Sequence, residues 1–235
     1  PKRRKMARCK WVYKTKYADD GFIDKYTTHL LVNGFSQVEG IDYPENFVPI
    51  AKMDSLHLVL FIVASQGFPV YHMDVNNAFL HGDIQEEIYM EQPAGFVQDS
   101  SFVCQLRRSL YGLKQSPRAW YEKMDSFLLS TSFFHFHSDH TVYLQHIGED
   151  IMILVLYVDD MLLYGSFFSH IRSIQRALST QFDMTDLGLL HYFLGLQISQ
   201  TDSGIDLIQQ NYTHDLLQCF DMANYKTSPS PFQSG

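Results

Sequence analysis

Apolar positions recur at two spacings along this chain, one suited to strands and one to helices. Residues 8–17 and 22–34 read as two strands, with Asp19-Asp20-Gly21 as a hairpin turn between them. Asp54 then caps a helix whose Leu56, Val59, Leu60, Val63 and Ala64 keep a helical period, and Gly67 stops it. A short strand, Val70 to Val75, comes next. Ser116 and Pro117 supply an N-cap and a first-turn proline for a helix with Trp120, Met124, Phe127 and Leu128 on one face. Strands are expected at 140–146 and 151–165, and Ile171, Ile174, Leu178 and Phe182 mark another amphipathic helix. Residues 191–200 and 205–209 read as strands and 212–220 as a last helix. Helices and strands mix without regular alternation, which predicts an α+β fold with helices packed on an antiparallel sheet. Repeats and low-complexity linkers are absent, so residues 1–235 read as one continuous module.

Composition narrows the class. With 235 residues, 46% of them apolar and 19% charged, the chain can bury a sizeable core and is too hydrophobic to be disordered. It is also too evenly charged for a membrane protein, and its longest apolar runs, Leu58 to Ala64 and Ile151 to Val158, fall short of a bilayer span. No apolar segment follows the basic start, so no secretory signal is expected. Cys9, Cys104 and Cys219 are odd in number and form no Cys-x-x-Cys pair, which favours a reducing compartment over a disulfide framework or zinc site.

The net charge of −8 argues at first against a nucleic-acid partner. Its distribution reverses that reading. Residues 1–16 hold eight of the 18 Lys and Arg and no acid, while residues 17–100 carry thirteen acids and two bases. Residues 101–123 then add Arg107, Arg108, Lys114, Arg118 and Lys123 against a single Glu122. Two basic segments thus flank an acidic stretch. Lys2-Arg3-Arg4-Lys5 taken alone reads equally as a solvated tail or a nuclear-import signal.

The candidate chemistry sits between two apolar half-strands. From Ile151 to Gly165 the only charges are Asp159 and Asp160, placed at the tip of the expected hairpin. Adjacent carboxylates there repel each other and resist desolvation, and with no Lys or Arg nearby in sequence a divalent cation is the natural counter-charge. A solvated Asp-Asp turn is the plainer alternative for the dipeptide alone. The strand Val70-Tyr-His-Met-Asp74 ends in a third acid. Set beside the hairpin, it would bring three carboxylates together, an oxygen-only set suited to Mg²⁺. Two such ions could activate a 3′-hydroxyl and stabilise a leaving pyrophosphate.

At this point the sequence resembles the reverse transcriptase domain of copia-type LTR retrotransposon polyproteins. The matching segments are Cys9-Lys-Trp-Val-Tyr-Lys14, Asn33-Gly-Phe-Ser-Gln37, Glu39-Gly-Ile-Asp-Tyr43, Met73-Asp-Val-Asn-Asn-Ala-Phe-Leu-His-Gly82 and Tyr89-Met-Glu-Gln-Pro93, followed by Ser109-Leu-Tyr-Gly-Leu-Lys-Gln-Ser-Pro-Arg-Ala-Trp120, Tyr157-Val-Asp-Asp160, and Asp186-Leu-Gly188 to His191-Tyr-Phe-Leu-Gly195. The resemblance implies a right-hand polymerase, with fingers mainly in 1–68 and 84–114, palm mainly in 69–83 and 115–200, and the thumb starting at 201–235. It makes Asp74, Asp159 and Asp160 the catalytic acids, with Asp74, the Val75 carbonyl and Asp159 as ligands of two Mg²⁺ ions, Mn²⁺ being an alternative. It places His29, Phe79, Tyr111, Gly112 and Lys114 at the incoming nucleotide, Phe79 as the ring that excludes a ribose 2′-hydroxyl. Tyr192, Phe193, Leu194 and Gly195 match the hairpin that grips the primer.

The implied activity is RNA-directed DNA polymerisation on a primed RNA or DNA template from deoxynucleoside triphosphates. The implied setting is a larger polyprotein with ribonuclease H and integrase, in a cytoplasmic virus-like particle with access to the nucleus. Some positions depart from the family pattern. Thr27, His29 and Asn33 stand where basic residues are usual, and Asn76 and Thr185 each replace a frequent lysine. These departures support the alternative of an inactive relic that keeps the fold and nucleic-acid binding. A two-metal nuclease is a further rival, but it gives Phe79 and Tyr111 to Lys114 no role. The histidines at 135, 137 and 140 with Asp139 fit no zinc spacing and read as surface strand residues. Phe133, Phe134 and Phe136 read as core.

Overall fold

The computed structural model describes residues 6–17, 22–201 and 203–226. The expected Asp19-Asp20-Gly21 turn and the Lys2 to Lys5 cluster lie outside the described residues. Chain order runs β1 (Cys9–Tyr17), β2 (Ile23–Val32), α1 (Met53–Gln66), β3 (Val70–Val75), β4 (Tyr89–Met90), β5 (Cys104–Gln105) and α2 (Ser116–Ser130). It continues with β6 (Phe134–Phe136), β7 (Asp139–Ile147), β8 (Asp150–Tyr157), β9 (Asp160–Tyr164) and α3 (Phe168–Gln181). Last come β10 (Met184–Leu189), β11 (Tyr192–Phe193), β12 (Leu196–Thr201), β13 (Gly204–Ile208) and α4 (Gln210–Cys219). Every named strand pair is antiparallel, and the expected α+β class holds.

A six-stranded sheet in the order β10-β3-β9-β8-β7-β6 organises the chain. Its inner strands bury both faces, so their sequences read as near-continuous apolar runs. On one face Met73, Leu154, Leu156, Met161 and Leu163 pack against Trp120, Met124 and Leu128 of α2 and Ile171, Ile174 and Leu178 of α3. On the other, Val70, Val142, Ile153, Val155 and Leu162 meet Leu56, Val59, Leu60 and Val63 of α1, together with Phe193 and Ile198 of the small β11-β12-β13 sheet. A third cluster of Ala7, Val32, Ile88, Met90 and Leu113 seats the β1–β2 pair.

Several boundaries differ from the sequence reading. Asp54 lies in the first turn of α1 and is not its cap: Lys52 holds that position, and its backbone N–H donates to Asp139 at 3.0 Å. An acid there still favours the positive end of the helix dipole. Ser116 is the first helical residue of α2, and its hydroxyl donates to the Leu110 carbonyl (2.6 Å) instead of capping. β10 was not expected, because Asp186 and Gly188 hide its pattern; pairing with β3, across a bulge, makes it a strand. The expected strand at 191–200 is cut in two by Leu194 and Gly195, both with positive φ. Phe134 is exposed and stacks on His146, whereas Phe133 is core as expected. Asp139 is buried, accepting bonds from Lys52 and Thr141, so it is no surface residue.

Candidate active site

The two acidic motifs, 85 residues apart in sequence, meet because β3 pairs with β9. Asp74 is the cross-strand partner of Asp160, which in turn faces Tyr157, while Thr185 of β10 faces Asp74 from the other side. Directly opposed residues share a face, so Thr185, Asp74, Asp160 and Tyr157 form one row across four strands. It lies on the sheet face away from α2 and α3. Asp159 sits in the two-residue turn between β8 and β9, and its carbonyl accepts from the Val75 N–H at 2.8 Å. Only Asp159 is thus at the hairpin tip; Asp160 belongs to the ladder.

That turn is held against strain. Val158 adopts φ 55°, a left-handed conformation that a β-branched residue rarely takes. The Trp120 indole N–H donates to its carbonyl at 2.6 Å, tying the turn to the buried face of α2. With the Val75 bond, this fixes the Asp159 backbone from both sides.

The electrostatics are those of crowded acids. Burial pushes the Asp159 carboxyl up from its ordinary range, with Asp160 and Asp74 adding to the rise against a bond from its own backbone N–H. Tyr111 is likewise raised, first by burial and then by Asp159 and Asp74, which places its phenol in the same field. Asp160 accepts a 2.7 Å bond from Nε2 of His72, which is 8% exposed. The expected convergence of three carboxylates is therefore incomplete. Among the described residues, no group of three or more His, Cys, Asp or Glu is gathered closely enough to hold an ion. The donor chemistry of Asp74 and Asp159 nevertheless fits a hard divalent cation, since a positive charge would offset both the burial and the neighbouring acids that raise Asp159.

Of the aromatic residues named from sequence, Tyr111 lies in the field of these acids, and Phe79 and His29 pack on it. Phe79, on a helical turn after β3, packs against Tyr111 with ring centroids 4.8 Å apart, and its carbonyl accepts from the Ser109 hydroxyl. His29 in the middle of β2 meets Tyr111 edge-on at 5.5 Å. Gly112 abuts Val32, whose N–H donates to the Tyr111 carbonyl at 2.8 Å. Lys114 stands on a neighbouring cleft of about 480 Å³ with Arg8, Lys10 and Phe35, its backbone N–H held by Gln37 at 2.9 Å. Asn76 donates to both Asp183 and Thr185 at 3.2 Å, so two of the departures from the family pattern touch each other. In the 192–195 hairpin Tyr192 is exposed, while Phe193 is buried against His72 and Tyr157. His72 itself escaped the sequence reading. Its signal was a polar residue two positions before Asp74, on the same face of a strand that is otherwise buried.

Comparison with known proteins gives the family of the chain. Residues 1–234 match the family model described as reverse transcriptase (RNA-dependent DNA polymerase). The chain is similar to the retrovirus-related Pol polyprotein from transposon TNT 1-94 of Nicotiana tabacum, 43% identical over 98% of this chain and 18% of that protein. It is 37% identical to the Pol polyproteins from transposons RE2 and RE1 of Arabidopsis thaliana, over 95% of this chain and 16% and 15% of theirs. The chain therefore spans less than a fifth of the length of these relatives, which are larger Pol polyproteins.

Proposed function

Because this chain belongs to the copia-type reverse transcriptase family, we propose that it extends a primer 3′ end with deoxynucleotides on an RNA or DNA template. The observation that carries the reading is the pairing of Asp74 with Asp160 across β3 and β9, which brings Asp159 beside Val75. In the transfer, the primer 3′-oxygen attacks the α-phosphate, the new phosphodiester forms, and pyrophosphate leaves. Divalent ions held by Asp74, Asp159 and the Val75 carbonyl would acidify the 3′-hydroxyl and neutralise charge on the leaving group. The chain's own groups then position the reactants, which in-line phosphoryl transfer needs most. Phe79 walls the sugar, Tyr111 buttresses it, and Gly112 lets the backbone approach closely. In this reading β1–β2 belongs to the fingers, the six-stranded sheet to the palm and the 192–195 hairpin to the primer grip. Ribonuclease H, integrase and a particle setting belong to the longer protein.

Extension of a primed RNA template with Mg²⁺ tests the reading directly, and a well-folded chain that never extends a primer supports the inactive relic instead. Thr27, His29 and Asn33 favour that second reading, because they remove cations usual in the family. Two variants probe the nucleotide site. Phe79→Val should raise use of ribonucleotides relative to deoxynucleotides by roughly tenfold or more, since the excluded hydroxyl gains room. An unchanged ratio of catalytic efficiencies would make Phe79 a core residue only. His29→Arg should lower the nucleotide KM about tenfold, a charge-assisted bond to phosphate being worth ~1.5–3 kcal/mol. Identical nucleotide dependence in both proteins would remove His29 from the site.

A further inference from the structure

We propose that His72 is a positioning residue that draws one oxygen of Asp160 away from the metal-binding pair and so limits the site to two carboxylate ligands. Three observations carry this. The first is place along the sheet. Asp159 lies at the level of Val75, Asp160 at that of Asp74, and His72 two residues further from the turn, opposite Leu162. A bond from Asp160 to His72 therefore runs away from Asp159. The second is the bond itself: Nε2 lies 2.7 Å from Oδ1 with a carboxylate as acceptor, so Nε2 carries the proton. The third is rigidity. The His72 ring is nearly buried and meets Phe193 edge-on at 6.0 Å, and Phe193 in turn packs on Tyr157, the partner of Asp160 in the ladder. Gln200 adds to this by bonding both the N–H and the carbonyl of Val70, which ties β12 to the start of β3.

The 192–195 hairpin, His72 and Asp160 thus form one packed unit, and seating of that hairpin sets where the third carboxylate points. The consequence for turnover rests on the polymerase reading; the consequence for metal binding does not.

A double-mutant cycle decides the matter, with Mn²⁺ binding to the protein alone measured by electron paramagnetic resonance. His72→Leu should bind Mn²⁺ more tightly than wild type by about fivefold, because a released Asp160 adds a third anionic ligand. His72→Gln keeps an N–H donor of similar reach and should bind like wild type. In an Asp160→Asn background, His72→Leu should change nothing further. A residue that only supported the fold would weaken binding and would do so with or without Asp160. Unchanged or weaker Mn²⁺ binding by His72→Leu would therefore overturn the proposal, as would the same gain in the Asp160→Asn background or a wild-type chain that binds no Mn²⁺ at millimolar concentration. In primer extension, His72→Leu should lower kcat about tenfold with the nucleotide KM unmoved, and His72→Gln should restore it. If wild type extends no primer, the polymerase reading fails while the Mn²⁺ cycle still decides the role of His72.

Discussion

Replacing Asp159 by Asn should abolish primer extension and at the same time make the chain harder to melt. The first effect follows from position. Asp159 occupies a turn pinned by Trp120 and Val75, so Asn keeps the shape and removes only the charge. Loss by at least ~10²–10³-fold is the scale on which one lost transition-state contact registers. The second effect follows from linkage. Burial, Asp160 and Asp74 hold the Asp159 carboxyl above its ordinary range, so the folded state keeps a proton that the unfolded state has released. Stability is therefore lost as pH rises from the ordinary carboxylate value through the raised one, and the cost persists at neutral pH. Asn does not carry that cost. Its advantage in melting temperature should be present at neutral pH and vanish below the ordinary carboxylate range. Mg²⁺ should raise the melting temperature of wild type more than that of the variant, because an ion that binds only the folded state stabilises it. Single-turnover extension and melting curves across pH check both effects; near wild-type extension by Asp159→Asn would take Asp159 out of the site.

The opposing stability and activity effects explain why the sequence disclosed the acids more readily than their surroundings. Asp159 and Asp160 stand out because they interrupt fifteen otherwise uncharged residues, and an interruption that unfavourable needs a reason. The strands with strong apolar runs, β3, β8 and β9, and the helices with a clear period, α1, α2 and α3, were legible for the same reason: burial writes itself into spacing. β10 was not. Its residues Met184–Leu189 are mostly exposed, and only partnership with β3 makes them a strand. Likewise Trp120 was readable as core, but its bond to the Val158 carbonyl joins residues 38 apart, and no local pattern encodes it. His72 is the sharpest case. A histidine within a buried strand has many explanations, and the one that holds here depends on register between strands whose pairing the sequence does not print. The helix caps at Asp54 and Ser116 failed differently: α1 begins one residue before Asp54, with Lys52 bonded to Asp139, and the Leu110 carbonyl takes the Ser116 hydroxyl.

Gly112→Ala should be the most damaging single methyl group in the nucleotide-facing half of the chain. Gly112 has φ 96°, and a Cβ added there would overlap the Val32 carbonyl oxygen and come within 3.1 Å of the Val32 carbonyl carbon. Those are backbone atoms at the end of β2, and the Val32 N–H bonded to the Tyr111 carbonyl keeps them in place. The neighbour cannot swing aside. Backbone strain of roughly 1–3 kcal/mol and overpacking of roughly 1–3 kcal/mol should add, because they arise from different distortions. At about 2–4 °C per kcal/mol for a domain of this size, the melting temperature should fall by about 5–20 °C. Gly148→Ala provides the contrast: Gly148 also has positive φ, at 64°, but an added Cβ meets nothing within 4 Å. That variant should show the strain alone. Hydrogen exchange at the Val32 amide should speed up in Gly112→Ala and not in Gly148→Ala, since only the first pushes β2 away from Tyr111. Equal costs for the two would mean that the junction between β2 and Gly112 yields without resistance. The Tyr111 ring would then not be held between His29 and Phe79 by this contact, and its place beside Asp74 and Asp159 would need another support.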